Sequence, residues 1–439
     1  MSTIESLPYV PDFTTHYQAL SNLPGFVILE SSDKRYGRYD IVAAYPYDRL
    51  VIPYGAMDVN QAEVMVKQLL PERDAIGDLP FQGGAIGYFS YEFGAKKVGV
   101  TCLNNASFRD MPLVDLRFYD WAIVVDHHNK TVQLVNADSK PETTAIVSEI
   151  KARWQKTHNG SADIFLHSFQ ANMSKRYYEE AFSAIHGDIQ RGRAYQVNFT
   201  QGFEAPFRGS AWEVFKRIRK TNPVPFSAYM RGDWGDIISF SPERFLLYDA
   251  GTLLTSPIKG TIKRSDDSKT DALWRDTLQH CPKNRAENVM IVDLMRNDFG
   301  KIAAVGSVSV PSLYEIQSFC GVHHLVSDVS AQVNKDITAV DAFVSCFPGG
   351  SITGAPKRES MHMIAEQELA ARGVYCGSIG YFSAHGRSDS NIAIRTLLAI
   401  DSTLHVAAGG GIVMDSNCEA EYEECFTKIS AITEAIKTR

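Results

Sequence analysis

The chain has 439 residues, 44% of them hydrophobic and 22% charged, the usage of a globular protein with a large core, and this excludes a disordered chain. Length alone allows about three domains, though large sheet-based enzymes run longer as one unit. A formal net charge of −7 with no block of like charge excludes a basic field for nucleic acid. The N-terminal stretch MSTIESLPYVPDF lacks the basic start and apolar run of a secretory signal. No apolar run approaches the roughly 18 residues that span a bilayer, so a cytosolic protein away from membranes is expected.

In chain order, GGAIGYFS at 83–90 has a near copy, CGSIGYFS, at 376–383, which hints at two sheets built on related plans. Residues 115–136, DLRFYDWAIVVDHHNKTVQLVN, alternate apolar and polar on both sides of a polar HHNK turn, the pattern of an antiparallel hairpin. The polar stretches NADSKPETT and KTHNGSAD bracket a short helical segment, and about 137–168 reads as a surface connection between two halves. A helix is predicted over SKRYYEEAFSAIHGDIQRG (174–192). A second hairpin is expected over 236–262. Further helices are predicted at CPKNRAENVMIVDLMRND (281–298), after GAPK (354–357) and over EAEYEECFTKISAITEAIKTR (419–439). Strands and helices occur in mixed order without steady βαβ alternation, which favours α+β over a doubly wound parallel sheet. Seven cysteines (102, 281, 320, 346, 376, 418, 425) contain no CxxC pair and read as reduced, mostly buried small hydrophobes.

The candidates for chemistry lie in the second half. TSPIKGTIKR places Lys259 in a strand leaving an apolar hairpin, where a lysine ordinarily keeps its stem on the sheet and its head in water. If the hairpin loop is Asp249, Ala250 and Gly251, Glu243 faces Pro257 and becomes a diagonal neighbour of Lys259; a two-residue loop puts the two on opposite faces. The pair reads either as a cross-strand ion pair worth under about 1 kcal/mol or as a general acid beside an amine nucleophile. Such an amine must be neutral and therefore desolvated or set beside a cation.

Glu287 lies on one predicted helix, and Glu421 and Glu424 share a face of the last. Carboxylates from two helices form the oxygen set that suits Mg²⁺. FPGGSITGAPKRESM fails the phosphate-loop pattern, leaving a Gly-rich turn into a helix that suits an anion. The glycines at 409–411 allow backbone N–H groups close to an anion. Arg395, in an apolar strand, needs a carboxylate from the protein or a ligand. His324 reads first as a satisfied core histidine.

AYQVNFTQ, SPERF, PIKGT, ENVMIVDLMRND, HLVSDV, PGGSITGAPK, GSIGYFS, AIRT and AGGGIVMDSNCEAEYEE together resemble the chorismate-utilising enzymes. The resemblance is dense from about 175 to the C-terminus and looser before it. It implies a large α+β sandwich of two antiparallel sheets with helices outside, residues 1–150 forming a contributing lobe and 170–439 the chorismate-binding catalytic region. Members that form anthranilate resemble PIAGT where this chain has PIKGT. The lysine marks the branch that converts chorismate and ammonia to 4-amino-4-deoxychorismate for 4-aminobenzoate and folate synthesis. That activity implies Lys259 adding at ring C2 while Glu243 helps the C4 hydroxyl leave, after which ammonia attacks C4 and expels the lysine.

By the same resemblance, Glu287 and Glu424 hold Mg²⁺, with Glu421 as the nearby alternative. Ser351, Tyr375, Arg395, Gly409 and Gly411 bind the substrate, and His324 sits beside the reacting face. Family members that add water carry a lysine base at the position of Gln196, and a glutamine cannot act as that base. LESSDKRYGRYD and NPVPFSAYM resemble segments that form a tryptophan pocket, which makes Ser31, Tyr36, Pro225 and Phe226 its candidates, although Gly37 stands where serine is common. No cysteine sits in a glutaminase-type GxCxGxQ elbow, so ammonia is expected from a separate glutamine amidotransferase subunit. The rival readings are an anthranilate-forming lyase and an inactive paralogue that binds tryptophan or the amidotransferase.

Overall fold

Strands that adjoin in sequence do not always stay in one sheet. The computed structural model describes all residues except 1–2, 55–57, 103–107, 109, 157–159, 161, 320 and 438–439, so Cys320 lies outside the described residues. The other six cysteines are unbridged, three of them buried and three half-buried. No helix among the described residues is long and apolar enough to cross a membrane.

Two antiparallel sheets make the framework, one of 13 strands and one of 10. The first runs through Thr131–Asn136, Trp121–Asp126, Tyr39–Ala43, Val27–Glu30, Phe226–Arg231, Asp236–Ser241, Thr396–Ile400, Thr403–Ile412 and Gln196–Arg208. The second runs through Ile258–Lys263, Val322–Gln332, Thr252–Ser256, Arg244–Asp249, Ser388–Asn391, Ser378–Ser383, Gly84–Phe89, Val114–Tyr119 and Asp48–Ile52. Early strands enter both sheets: Val27–Glu30 pairs with Phe226–Arg231, and Gly84–Phe89 pairs with Ser378–Ser383. Helices Lys175–Gln190, Ala211–Thr221 and Cys418–Lys437 cover the first sheet, and Ser268–His280 and Pro282–Gly300 cover one end of the second. Buried residues of both sheets, among them Phe199, Phe240, Phe245 and Phe382, join one apolar core, the α+β sandwich expected.

Both expected hairpins form but are shortened by a change of sheet. Trp121–Asp126 and Thr131–Asn136 do pair around 127–130, but Val114–Tyr119 belongs to the other sheet, with Asp120 at the corner. Likewise Asp236–Ser241 lies in the first sheet and Arg244–Asp249 in the second, so the chain crosses at Pro242 and Glu243. It crosses back at 392–395, between Ser388–Asn391 and Thr396–Ile400. Alternation marks a strand with one buried face but carries no label of the sheet it joins.

The two matching octapeptides do not seed separate sheets as expected. They pair with each other in the second sheet, Gly87 opposite Gly380. A Cβ on Gly87 would collide with the Asp115 carbonyl, and one on Gly380 with the Asp389 carbonyl, so the repeated glycine answers to close backbone approach. Gly87→Ala is expected to lower the unfolding free energy by about 2 kcal/mol or more, measured by denaturant titration.

Candidate active site

The corner at 242–243 delivers Glu243 into the space between the sheets. Its hairpin turn contains two residues, Ala250 and Gly251, with φ of 47° and 81°, and Asp249 faces Thr252, so the three-residue loop does not form. Two left-handed residues match the twist of the flanking strands. A bulge between Arg244 and Leu247 then absorbs one residue, and beyond it Arg244 faces Ser256. That is the register the longer loop would have produced, and it brings Glu243 to Lys259 after all.

Glu243 is 4% exposed, and its Oε1 accepts a 2.7 Å hydrogen bond from Ser351 Oγ. Burial pushes its carboxyl up to about 7, against the hydrogen bond from Ser351, the charge of Lys259 and the Ile258 N–H. Lys259 is half-buried and its Nζ lies 3.4 Å from the carbonyl of the same Ser351. Desolvation lowers its pKa, opposed by the carboxylates of Glu243, Glu287 and Glu424 and aided by Lys428. Ser351 therefore holds the acid with its hydroxyl and the amine with its carbonyl. Gly260, next to the lysine, has φ +84° within a second bulge between Ile258 and Thr261, and a Cβ there would press on Asn284. PIKGT thus needs its glycine to aim the lysine inward.

Of the other predicted residues, His324 lies on the strand paired with that of Lys259, opposite Thr261. His324 is buried, its Nδ1 2.9 Å from Thr261 Oγ1, and its ring packs edge-on against Phe319. Burial, then the charges of Arg395 and His323, pull its pKa down to about 3, so the ring is neutral at any working pH. Arg395 has φ 51° at the third corner, and desolvation lowers its pKa. Its guanidinium has no ion-pair partner among the described residues. Gln196 is fully buried with neither amide atom hydrogen-bonded, and a Cβ on Gly411 would come within 2.5 Å of its Nε2. A buried amide and an arginine without protein partners are what a polar ligand satisfies. Gly409 and Gly411 face Thr200 and Asn198 across the strand pair, on the face that carries Gln196. Tyr375 is buried beside Cys376, whose N–H donates to Ala393, close to the corner of Arg395. Behind Tyr375 and Thr396 is a separate cavity of about 50 Å³, lined also by Thr200, Arg372 and His405, with neither Glu243 nor Lys259 in its wall.

The acidic residues converge from two helices. Glu287 and Glu424 both act on the amine of Lys259, and their side chains are 21% and 47% exposed. Lys428 Nζ lies 2.7 Å from Glu424 Oε1 and also donates to the Gly409 carbonyl, while Lys283 Nζ lies 4.0 Å from Glu287. Glu421 is buried, accepts from Ser416 Oγ at 2.8 Å and has its pKa raised by that burial. A Cβ on Gly410 would come within 2.5 Å of Glu421 Oε2 and 3.7 Å of Glu424 Oε2, so the glycine leaves room for both carboxylates. No three His, Cys, Asp or Glu among the described residues form a metal cage. Two partly exposed carboxylates fit Mg²⁺, which takes one or two such ligands and completes its shell with water and an anionic ligand.

The four tryptophan-pocket candidates are less united. Ser31 Oγ donates to the Pro225 carbonyl at 3.2 Å, and Phe226 lies under the Arg244 guanidinium. Tyr36 packs on Phe319, and its hydroxyl accepts from the Ser318 N–H at 2.7 Å. A Cβ on Gly37 would fall on the Ser31 side chain, so this turn has no room for the more usual serine. Sequence reasoning missed Thr261, the partner of His324, and Lys428, which its i,i+4 spacing from Glu424 signals.

The raised carboxyl of Glu243 has a measurable consequence. Between pH 4.5, its ordinary value, and about 7 the folded chain keeps a proton that the unfolded chain has released, so stability falls as pH rises through that window. Glu243→Gln removes the loss. The variant is expected to match the wild type near pH 4.5 and to exceed it at pH 8 by up to about 3 kcal/mol in denaturant titrations at the two pH values.

Comparison with known proteins agrees with this geometry. Aminodeoxychorismate synthase component 1 of Salmonella typhimurium is 39% identical over 98% of this chain and 97% of its own length. Anthranilate synthase component 1 of Lactococcus lactis is 30% identical over 92% of this chain and 93% of its own. The crystal structure of anthranilate synthase component I from Streptococcus pneumoniae superposes with a TM-score of 0.81 at 27% identity, covering 90% of this chain and 92% of that one. A sequence profile of the family described as chorismate binding enzyme matches residues 26–434, and with these relatives it establishes that the chain belongs to the chorismate-binding enzymes.

Proposed function

We propose that the chain converts chorismate and ammonia to 4-amino-4-deoxychorismate, the reaction named by its relatives at 39% identity. The observation that carries the reading is a desolvated Lys259 amine and a Glu243 carboxyl poised near neutrality, both held by Ser351. The neutral amine adds at ring C2, the ring double bonds shift, and the C4 carbon–oxygen bond breaks. Glu243 gives its proton to the departing hydroxyl, which leaves as water. Ammonia then forms a bond to C4 as the double bonds shift back and the C2–lysine bond breaks. The amine returns neutral once the excess protons pass to Glu243 and to solvent, and the enolpyruvyl group is untouched.

The unpaired Arg395 and the orphaned amide of Gln196 are the groups we assign to the substrate's carboxylate and polar edge, with Tyr375, Gly409 and Gly411 alongside. His324, neutral and held by Thr261, serves as a hydrogen-bonding wall rather than a cation. Glu287 and Glu424 are the proposed holders of Mg²⁺, which when bound supplies positive charge to grip the ring carboxylate. The relatives are named as a component 1, which presupposes another component, and the chain carries no glutaminase elbow. Ammonia is therefore assigned to a separate glutamine amidotransferase subunit.

Purified chain incubated with chorismate, Mg²⁺ and an ammonium salt above pH 8 is expected to give an amine that retains the enolpyruvyl group, identified by chromatography and mass. Fluorescent anthranilate with released pyruvate would assign the chain to the lyase reaction instead. Lys259→Ala should keep the fold and lose most of the amination, and Glu243→Gln should lower kcat by about 10² to 10⁴. Glu424→Gln should raise the Mg²⁺ concentration for half-maximal rate by about tenfold or more, read from metal titrations of activity.

A further inference from the structure

Ser351 can bridge acid and amine only if the short Gly350–Ile352 turn stays in place. Nothing in that turn's own hydrogen bonding holds the carbonyl of Ile352, the residue next to Ser351. That carbonyl is taken by Arg372, whose Nη1 donates to it at 2.8 Å. Arg372 is 5% exposed. Its Nε and Nη2 clasp both oxygens of Glu368 at 2.9 and 2.7 Å, and Nη2 also donates to the Asn198 carbonyl at 2.6 Å. Asn198 lies two residues beyond Gln196 and opposite Gly411. The guanidinium stacks 4.5 Å from the Tyr91 ring, and the Arg372 N–H is taken by Glu92 at 2.7 Å. Glu368 in turn accepts from the Thr200 N–H and hydroxyl at 3.0 and 2.9 Å.

We propose that Arg372 is a positioning residue: beside the backbone bond from the Asn198 N–H to the Thr353 carbonyl at 2.9 Å, it ties the turn that carries Ser351 to the strand that carries Gln196, and so fixes the hydrogen bond that Ser351 gives to Glu243. A buried ion pair such as Glu368–Arg372 adds little net stability, because desolvation offsets most of its attraction. Its return here is geometric. A planar fork reaches three acceptors on three segments at once, which a lysine's single ammonium cannot do without leaving carbonyls unpaired.

The kinetic arm of the test rests on the amination reading; the spectroscopic arm does not. Arg372→Lys is expected to lower kcat about tenfold or more with KM nearly unchanged, because the acid is displaced rather than the substrate. In infrared titration without substrate, the protonated carboxyl band that Glu243→Gln abolishes should titrate at least about half a pH unit higher in Arg372→Lys, since the Ser351 bond that favours ionisation is weakened. Ser351→Ala should show the same displacement, and the double variant should add nothing to it. If Arg372→Lys fails to fold, Arg372→Met combined with Glu368→Leu removes the pair without leaving a lone charge and should fold, with the same loss and the same shift. An unmoved Glu243 band, or losses that add in the double variant, would overturn the proposal. A wild type that makes no aminated product while the band shifts would overturn the amination reading and leave the positioning role standing.

Discussion

A strand that leaves one antiparallel sheet for the other must bury the polar backbone of its corner, and the whole site depends on how that cost is met. Two of the corners meet it by bonding to each other. Ser241 Oγ donates to the Ile392 carbonyl at 2.6 Å, the Ile392 N–H donates to the Glu243 carbonyl at 3.0 Å, and the Phe240 N–H donates to the Arg395 carbonyl at 3.1 Å. Glu243 and Arg395 are therefore placed by one braced junction, not by two independent loops. The polar backbone of the two corners is satisfied within that junction.

The corner at Asp120 shows what a carboxylate does when it is spent on structure. Asp120 accepts from the Ser139 N–H and hydroxyl, from Thr143 Oγ1 and from Arg73, and although burial works against it, the bonds from Ser139 and Thr143 hold its pKa below the usual range. Glu243, equally a corner acid, has the Ser351 hydroxyl, the Lys259 amine and the Ile258 N–H, and burial prevails. The same topological device gives a hydrogen-bonded anchor at Asp120 and a carboxyl held near neutrality at Glu243. The depth of burial and the number of donors together decide which.

Much of this was legible in the residues. SPERF, PIKGT and the glycine run point to the family and to the acid–amine pair. The α+β class followed from mixed element order. What could not be read were the changes of sheet at Asp120 and at Pro242–Glu243, because alternation records one buried face and nothing about which sheet lies beside it. The hairpin shows two errors that cancel: the loop is one residue shorter than the favourable case, and the bulge at Arg244–Leu247 restores the register. Arg372 was invisible for another reason. A Glu and an Arg four apart at a helix end read as a solvated surface pair, and only tertiary burial turns them into a clamp.

The electrostatics of the site follow from unequal burial of like groups. Glu243 is enclosed and drawn toward its neutral form, while Glu287 and Glu424 keep water and cationic lysines. Desolvation lowers the Lys259 pKa, and the carboxylates of Glu243, then Glu287 and Glu424, limit the fall. Any cation that neutralised Glu287 and Glu424 would leave Glu243 as the carboxylate that still opposes desolvation of the amine. Occupation of the carboxylate pair and the charge state of Lys259 are then coupled.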